Sequence, residues 1–120
     1  MNWLANLAVG EQCLSEPTIS GDGNINLSTD EGRVYAFTPK GKPLCAPYDN
    51  GGTAFASAPA IEVEGNLYVL AADGHVISLT KKLGLRWSYD LGAPAVASSL
   101  AIGNDGTLYI GGTNKLVGLK

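Results

Sequence analysis

The sequence is short of the residues on which enzyme chemistry usually draws. Its 120 positions hold one histidine, one methionine and two cysteines. Without a C-x-x-C pair or a Cys/His cluster, the ligand spacing of a structural zinc site is missing. There is no G-x-S-x-G elbow, and "PKGKP" at 39–43 lacks both the spacing and the Ser or Thr of a phosphate-binding loop. Charge is also thin. Eight Lys and Arg stand singly, apart from Lys81-Lys82, against eleven Asp and Glu, for a net charge of −3. A nucleic-acid surface needs clustered cations to displace the counterions of phosphates, so no nucleic-acid partner is expected. No apolar run approaches the roughly 20 residues of a membrane helix, and no basic amphipathic segment is present, so no membrane insertion is expected either. The opening "MNWLANLAVG" lacks the positive start of a secretion signal. The sequence as it stands therefore points to the cytoplasm; a leader removed beforehand would point to the periplasm or the exterior.

Cys13 and Cys45 are well separated along the chain. Two readings stand side by side. They form a disulfide, which requires a Cα separation of about 4.4–6.8 Å, or they are free thiols acting as small buried hydrophobes.

What the sequence has in excess is glycine, sixteen in all against a usual share of about 7%. The glycines recur at fixed intervals. Gly23, Gly65 and Gly106 are spaced almost evenly, a little over forty positions from one to the next. A second marker follows nine positions after the first two, at Gly32 and Gly74. Asn114, eight positions after Gly106, takes that place in the third repeat. Gly and Asn share a tolerance of positive φ, so the exchange fits a backbone requirement. Asp22-Gly23 and Asp105-Gly106 predict tight two-residue hairpins with both central residues at positive φ, and Glu64-Gly65 is a weaker version.

Between the markers the sequence alternates apolar with small or polar residues, the period of half-buried strands. "EPTIS", "APAIEV" and "SLAIG" precede the first turn. "NINLS", "NLYVLA" and "TLYIGG" follow it, and "RVYAF", "HVISL" and "KLVGL" follow the second marker. A further glycine turn leads to a fourth strand, "PLCAPY" at 43–48 and "LRWSYDL" at 85–91. The N-terminal "NWLANL" matches "RWSYDL", with Trp3 over Trp87. The expected organisation is one all-β domain over 1–120: a fourth-type strand at 2–7, repeat one at 15–48, repeat two at 57–91 and a partial repeat three at 98–120. No stretch carries a helical period. A four-stranded unit repeating every forty-odd residues is a propeller blade, and Thr18, Ala60 and Ala101 are small enough to sit where inner strands converge.

The stretches "SAPAIEVEGNLYVLAADGHVISLTKKLGLRWSYDLG" at 57–92 and "SSLAIGNDGTLYIGGTNKLVGL" at 98–119 resemble the repeats of the pyrroloquinoline-quinone (PQQ)-like β-propeller family. The resemblance implies that Trp3 and Trp87 dock each blade onto its neighbour, with Leu44-Cys45 at that place in repeat one. It also offers a PQQ-dependent quinoprotein dehydrogenase, with PQQ and calcium on the propeller axis, as an alternative function. No residue here matches that cofactor's ligand set, so no cofactor, no metal and no catalytic residue are expected.

Twelve strands make three blades, whereas propellers close with about 4–8. Two chains closing a six-bladed ring, the Trp3 strand of one completing the last blade of the other, is the expected assembly. A piece of a longer propeller is the competing one. The expected function is a non-enzymatic binding or assembly scaffold for a protein or peptide. The longest irregular segment, "PYDNGGTAFA" at 47–56, runs to one rim, and its Tyr48, Asp49 and Asn50 could contact a ligand, including a carbohydrate in a further alternative. His75 shares its repeat position with Arg33 and Lys115 and reads as a solvated edge, not a catalytic base. The sequon Asn26-Leu27-Ser28 falls inside a strand and reads as a chance match.

Overall fold

A computed structural model describes residues 16–90, 100–103, 105–111 and 116–119. Trp3, Cys13, Asn114 and Lys115 lie outside the described residues. Among those described the protein is all-β and contains no helix. Three antiparallel meanders follow one another. Blade 1 runs β1 (Thr18–Ile19), β2 (Ile25–Ser28), β3 (Arg33–Phe37) and β4 (Tyr48–Asp49). Blade 2 runs β5 (Ala60–Ile61), β6 (Leu67–Leu70), β7 (His75–Leu79) and β8 (Leu85–Asp90). The described part of blade 3 is β9 (Leu100–Ile102), β10 (Leu108–Gly111) and β11 (Leu116–Leu119).

Alternation within each strand decides which face meets which neighbour. Leu67, Val69, Ile77 and Leu79 of blade 2 bury against Val34, Ala36 and Phe55. The opposite side of the same sheet, through Tyr68, Leu70 and Val76, buries against Leu108 and Ile110 of blade 3. Blade 2 is therefore apolar on both faces, as a sheet packed between two others must be. The innermost strands lie side by side, β1 next to β5 and β5 next to β9. Thr18 Oγ1 donates to the Pro59 carbonyl across the first of these joints at 2.6 Å. Two buried serines add a second tie. Ser28 Oγ donates to Ser57 O at 2.8 Å, and Ser57 Oγ accepts the Leu70 N–H at 3.2 Å.

The turns depart from expectation in an instructive way. Gly23, Gly65 and Gly106 are left-handed, but Asp22, Glu64 and Asp105 are not. Ser20 N–H donates to Asn24 O, and Gly23 N–H donates back to Ser20 O. This is a three-residue loop closed by a left-handed glycine, so one positive φ suffices where a two-residue hairpin would need two. Gly32 and Gly74 close the next turn of their blades in the same way, at φ +80° and +97°. In blade 2 the following turn places Leu83, not Gly84, at the left-handed position, with φ 67°. Gly41 holds it in blade 1. The strain at Leu83 is of order 1–2 kcal/mol, and it is offset because the side chain is buried in the cluster joining blades 1 and 2.

The fourth strand of blade 1 is shorter than "PLCAPY" suggests. Only Tyr48 and Asp49 pair in register with β3, opposite Val34 and Arg33. Pro43 and Pro47 lack the N–H a ladder requires, so Pro43 makes an isolated bridge to Phe37 and Leu44 a single bond to Ala36 O. Leu44 and Cys45 pack on the blade 1–blade 2 cluster, and Cys45 is a free thiol. Burial pushes that thiol upward, with the Lys82 ammonium pulling the other way. The sequon at Asn26 is inaccessible, since Asn26 is 3% exposed and Ser28 2%.

Candidate functional site

The segment joining blades 1 and 2 is no loose connector. Its second and third residues are β4, and its second half is wedged between sheets. The Phe55 N–H donates to Thr29 O of blade 1, while Ala72 N–H donates to Ala54 O and Ala56 N–H to Leu70 O of blade 2. Phe55 itself is 3% exposed. Residues 49–53 make a tight bend held from both ends. Asp49 Oδ1 accepts the Gly51 N–H at 2.9 Å, the Asn50 N–H donates to Gly32 O at 2.7 Å, and the Asn50 side-chain amide reaches Thr53 O at 3.4 Å.

This bend forms one wall of a groove of about 180 Å³ between the two blades. Tyr48, Asn50 and Thr53 line that wall. Asp73 comes from the β6–β7 turn, His75 from the start of β7, and Ile77, Leu85 and Ser88 from the sheet of blade 2. Of the three rim residues expected from the sequence, Tyr48 and Asn50 thus face a common hollow. Asp49 is turned instead to Arg33, whose Nε lies 3.5 Å from its carboxylate; Glu31 stands on the other side of the same guanidinium at 3.7 Å.

Sequence pattern gives His75 and Asp73 no functional role, yet they stand at the mouth of this groove. Asp73 Oδ1 accepts the His75 N–H at 3.1 Å and lies 3.1 Å from Nδ1 of the same residue. Asp90 Oδ2 lies 4.0 Å from the other ring nitrogen. The strand register explains the arrangement. Arg33 pairs with Asp49 across β3 and β4, and His75 pairs with Asp90 across β7 and β8. The edge position therefore sets Arg33 or His75 opposite an acid across the strands, with the His75 side chain still 43% exposed. Its sequence signal is the dipeptide Tyr-Asp, at 48–49 and again at 89–90.

Two titrations are biased by the surroundings. For Tyr48, burial and then the Asp49 carboxylate push the phenol above its ordinary value, so it remains a protonated donor. For Asp73, partial burial pushes the carboxyl up, but the His75 backbone N–H and imidazole outweigh it and hold the group below its ordinary value. A depressed carboxyl stabilises the fold above its unfolded pKa, and that contribution disappears as pH falls through the folded value. Asp73→Asn should therefore lower stability by a few tenths of a kcal/mol after solvent screening. The deficit is present from neutrality down to about pH 4 and absent at lower pH; paired urea melts at pH 7 and pH 2.5 measure it.

A wider hollow of about 680 Å³ lies between the first turns of blades 2 and 3, lined by Glu62, Val63, Glu64, Ile102, Gly103, Asp105 and Gly106. Two of its acids are engaged within their own blades. Glu62 accepts from Asn66 and from the Tyr68 hydroxyl, and Asp105 accepts the Thr107 N–H. Of these two hollows, the groove at Tyr48 is the one with a braced wall of hydrogen-bonding groups facing apolar surface.

No protein-family model and no curated protein matches the chain. Solved structures do. A catalytically inactive virginiamycin B lyase from Staphylococcus aureus, determined with quinupristin, aligns over 95% of this chain and 43% of its own, at a TM-score of 0.73 and 18% identity. BamB from Moraxella catarrhalis aligns over 98% of this chain and 35% of its own, at 0.71 and 21%. A protein of unknown function from Bacteroides caccae aligns over 98% and 45%, at 0.69 and 18%. The chain thus spans less than half the length of each. At such identities the likeness speaks to fold alone, and that fold is the β-propeller.

Proposed function

We propose that this β-propeller chain is a non-enzymatic binding and assembly module with PQQ-like repeats, and that the groove between its first two blades receives an extended segment of a protein or peptide. The observation that carries the reading is the braced wall of Tyr48, Asn50 and Thr53 facing Ile77 and Leu85. An extended peptide offers alternating backbone polar groups and side chains. Such a ligand matches a groove with hydrogen-bonding groups on one side and aliphatic surface on the other. The wall costs little to order on binding, because Gly32 O and Thr53 O already hold Asn50 in place. A protonated phenol suits Tyr48 to donate to a peptide carbonyl. Cys45, whose thiol is held protonated by burial, supports no nucleophilic role.

Selection of a phage-displayed library of random linear peptides on the full chain tests the reading. Peptides recovered should lose about tenfold or more in affinity to Tyr48→Ala, measured by calorimetry, as expected for removal of one central aromatic contact. Peptides that bind Tyr48→Ala and Asn50→Ala as well as the parent would place recognition elsewhere. Glycan-array binding lost on Tyr48→Ala would replace the peptide with a carbohydrate.

A further inference from the structure

The groove between blades 1 and 2 is uneven in charge. Asp73 brings a carboxylate to its lining, and no lysine or arginine stands among the lining residues. The Asp73 side chain is 46% exposed, open enough to meet a ligand. Its contacts with the His75 N–H and with Nδ1 both fall on Oδ1. An ionised carboxylate offers lone pairs on both oxygens, so Oδ2 keeps acceptor capacity for a donor in the groove.

His75 stands between that carboxylate and a second one, with Nδ1 3.1 Å from Asp73 and Nε2 4.0 Å from Asp90. A neutral imidazole has one N–H, and only the protonated ring offers a donor to each acid. The titratable groups around His75 are Asp73 on the preceding turn, Asp90 on β8 and Tyr48 on the opposite wall. Asn50 and Thr53, beside Tyr48, carry no charge. Carboxyls as a class titrate near pH 4 and phenols near pH 10. Asp73 is held lower and Tyr48 higher by their surroundings. Histidine is the side chain whose charge changes between about pH 5 and 8. In that window the groove therefore gains or loses one positive charge, and it does so at His75.

Spacing along β7 adds a second constraint. Ile77 follows His75 two positions on, on the same face and about 6.6 Å further along. Alternate side chains of an extended peptide repeat at the same interval.

We propose that the segment received by the groove carries a lysine or arginine taken by Asp73, two positions from an aliphatic residue seated on Ile77 and Leu85, and that protonated His75 competes with that cation. The inference rests on the peptide reading of the groove and names the chemistry of its ligand. Proton and ligand are antagonists: the imidazolium satisfies the acids itself and repels an incoming cation. Binding therefore weakens as pH falls, and it expels a proton when it occurs with His75 partly protonated.

Linear dodecapeptides selected by phage display on the full chain at pH 8 should share a Lys or Arg two positions from Leu, Ile or Val. By calorimetry their affinity should fall about two- to fivefold between pH 8 and pH 5.5, the size of a partly exposed ion pair. His75→Gln should remove most of that fall, and so should norleucine in place of the peptide's basic residue. Asp73→Asn should weaken the basic peptide and leave its norleucine counterpart unchanged. At pH 6.5 the binding heat should vary with the ionisation enthalpy of the buffer in the sense of proton release. Peptides that need Tyr48 but carry no basic residue, bind equally at both pH values or take up protons overturn the inference and leave the groove reading standing. Peptides indifferent to Tyr48→Ala, or no peptides recovered, overturn both. The norleucine comparison uses the unaltered chain and decides the matter even if His75→Gln fails to fold.

Discussion

Phe55→Ala should cost about 3–5 kcal/mol, among the largest losses available from a single truncation in this chain. The side chain is 3% exposed and packs among Val34, Ala36, Leu67 and Val69, so it touches both sheets at once. Its backbone bridges them too, through Thr29 O on one side and the pairing with Ala71 on the other. The cavity left by alanine cannot collapse without moving one blade toward the other, and the serine ties at Ser57 resist that motion. Against a total stability of order 5–15 kcal/mol for a domain of this size, such a loss should lower the melting temperature by about 10–20 °C. The damage should also be local. In repeat architectures each unit leans on its neighbours alone, so hydrogen exchange should accelerate in β1 to β3 while β9 to β11 keep their protection. A thermal shift below a few degrees, or uniform loss of protection, would contradict the wedge.

Gly32→Ala is expected to cost about 2–4 kcal/mol, from two sources that can be separated. The first is conformational. Gly32 sits at φ +80°, where a Cβ is strained by roughly 1–2 kcal/mol. The second is contact, since that Cβ would stand 2.5 Å from the Thr53 carbonyl oxygen, a backbone atom that cannot swing aside as a long side chain can. Gly51→Ala supplies the control, being left-handed at φ +77° with nothing within 4 Å of its Cβ. The difference between the two losses, read from urea midpoints at constant slope, isolates the contact. Equal losses would mean that the Thr53 wall yields freely. The same substitution should push residues 50–53 outward and impair any ligand that depends on Asn50, although Gly32 does not line the groove.

The strands and their order were legible in the sequence because every one of them is repeated. Gly23, Gly65 and Gly106 recur for a backbone reason that no neighbouring blade can override. Departures arise where a local feature has no counterpart in the other repeats. Pro43 and Pro47 remove donors from one fourth strand only, and Leu83 takes a left-handed place because the core rewards its side chain more than the backbone resists it. The groove was harder to see. Residues 48–53, 73–77 and 85–88 come together only when blades pack, and one-dimensional spacing carries no record of that distance. Phe55 read as part of a connector because a single aromatic among Gly, Thr and Ala shows no period. The recurring Tyr-Asp pair was the one available signal, and it marks the acid that faces Arg33 in one blade and His75 in the next.

The bond from Thr18 to Pro59, set beside the small Ala60, has a geometric consequence at the scale of the whole wheel. The narrow end of each sheet acts as the thin edge of a wedge, and its thickness fixes the angular step to the following sheet. Six equal steps need about 60° each and seven about 51°. A methyl or two added at the hub would act as a shim there, altering that step and with it the integer number of sectors that can complete a circumference.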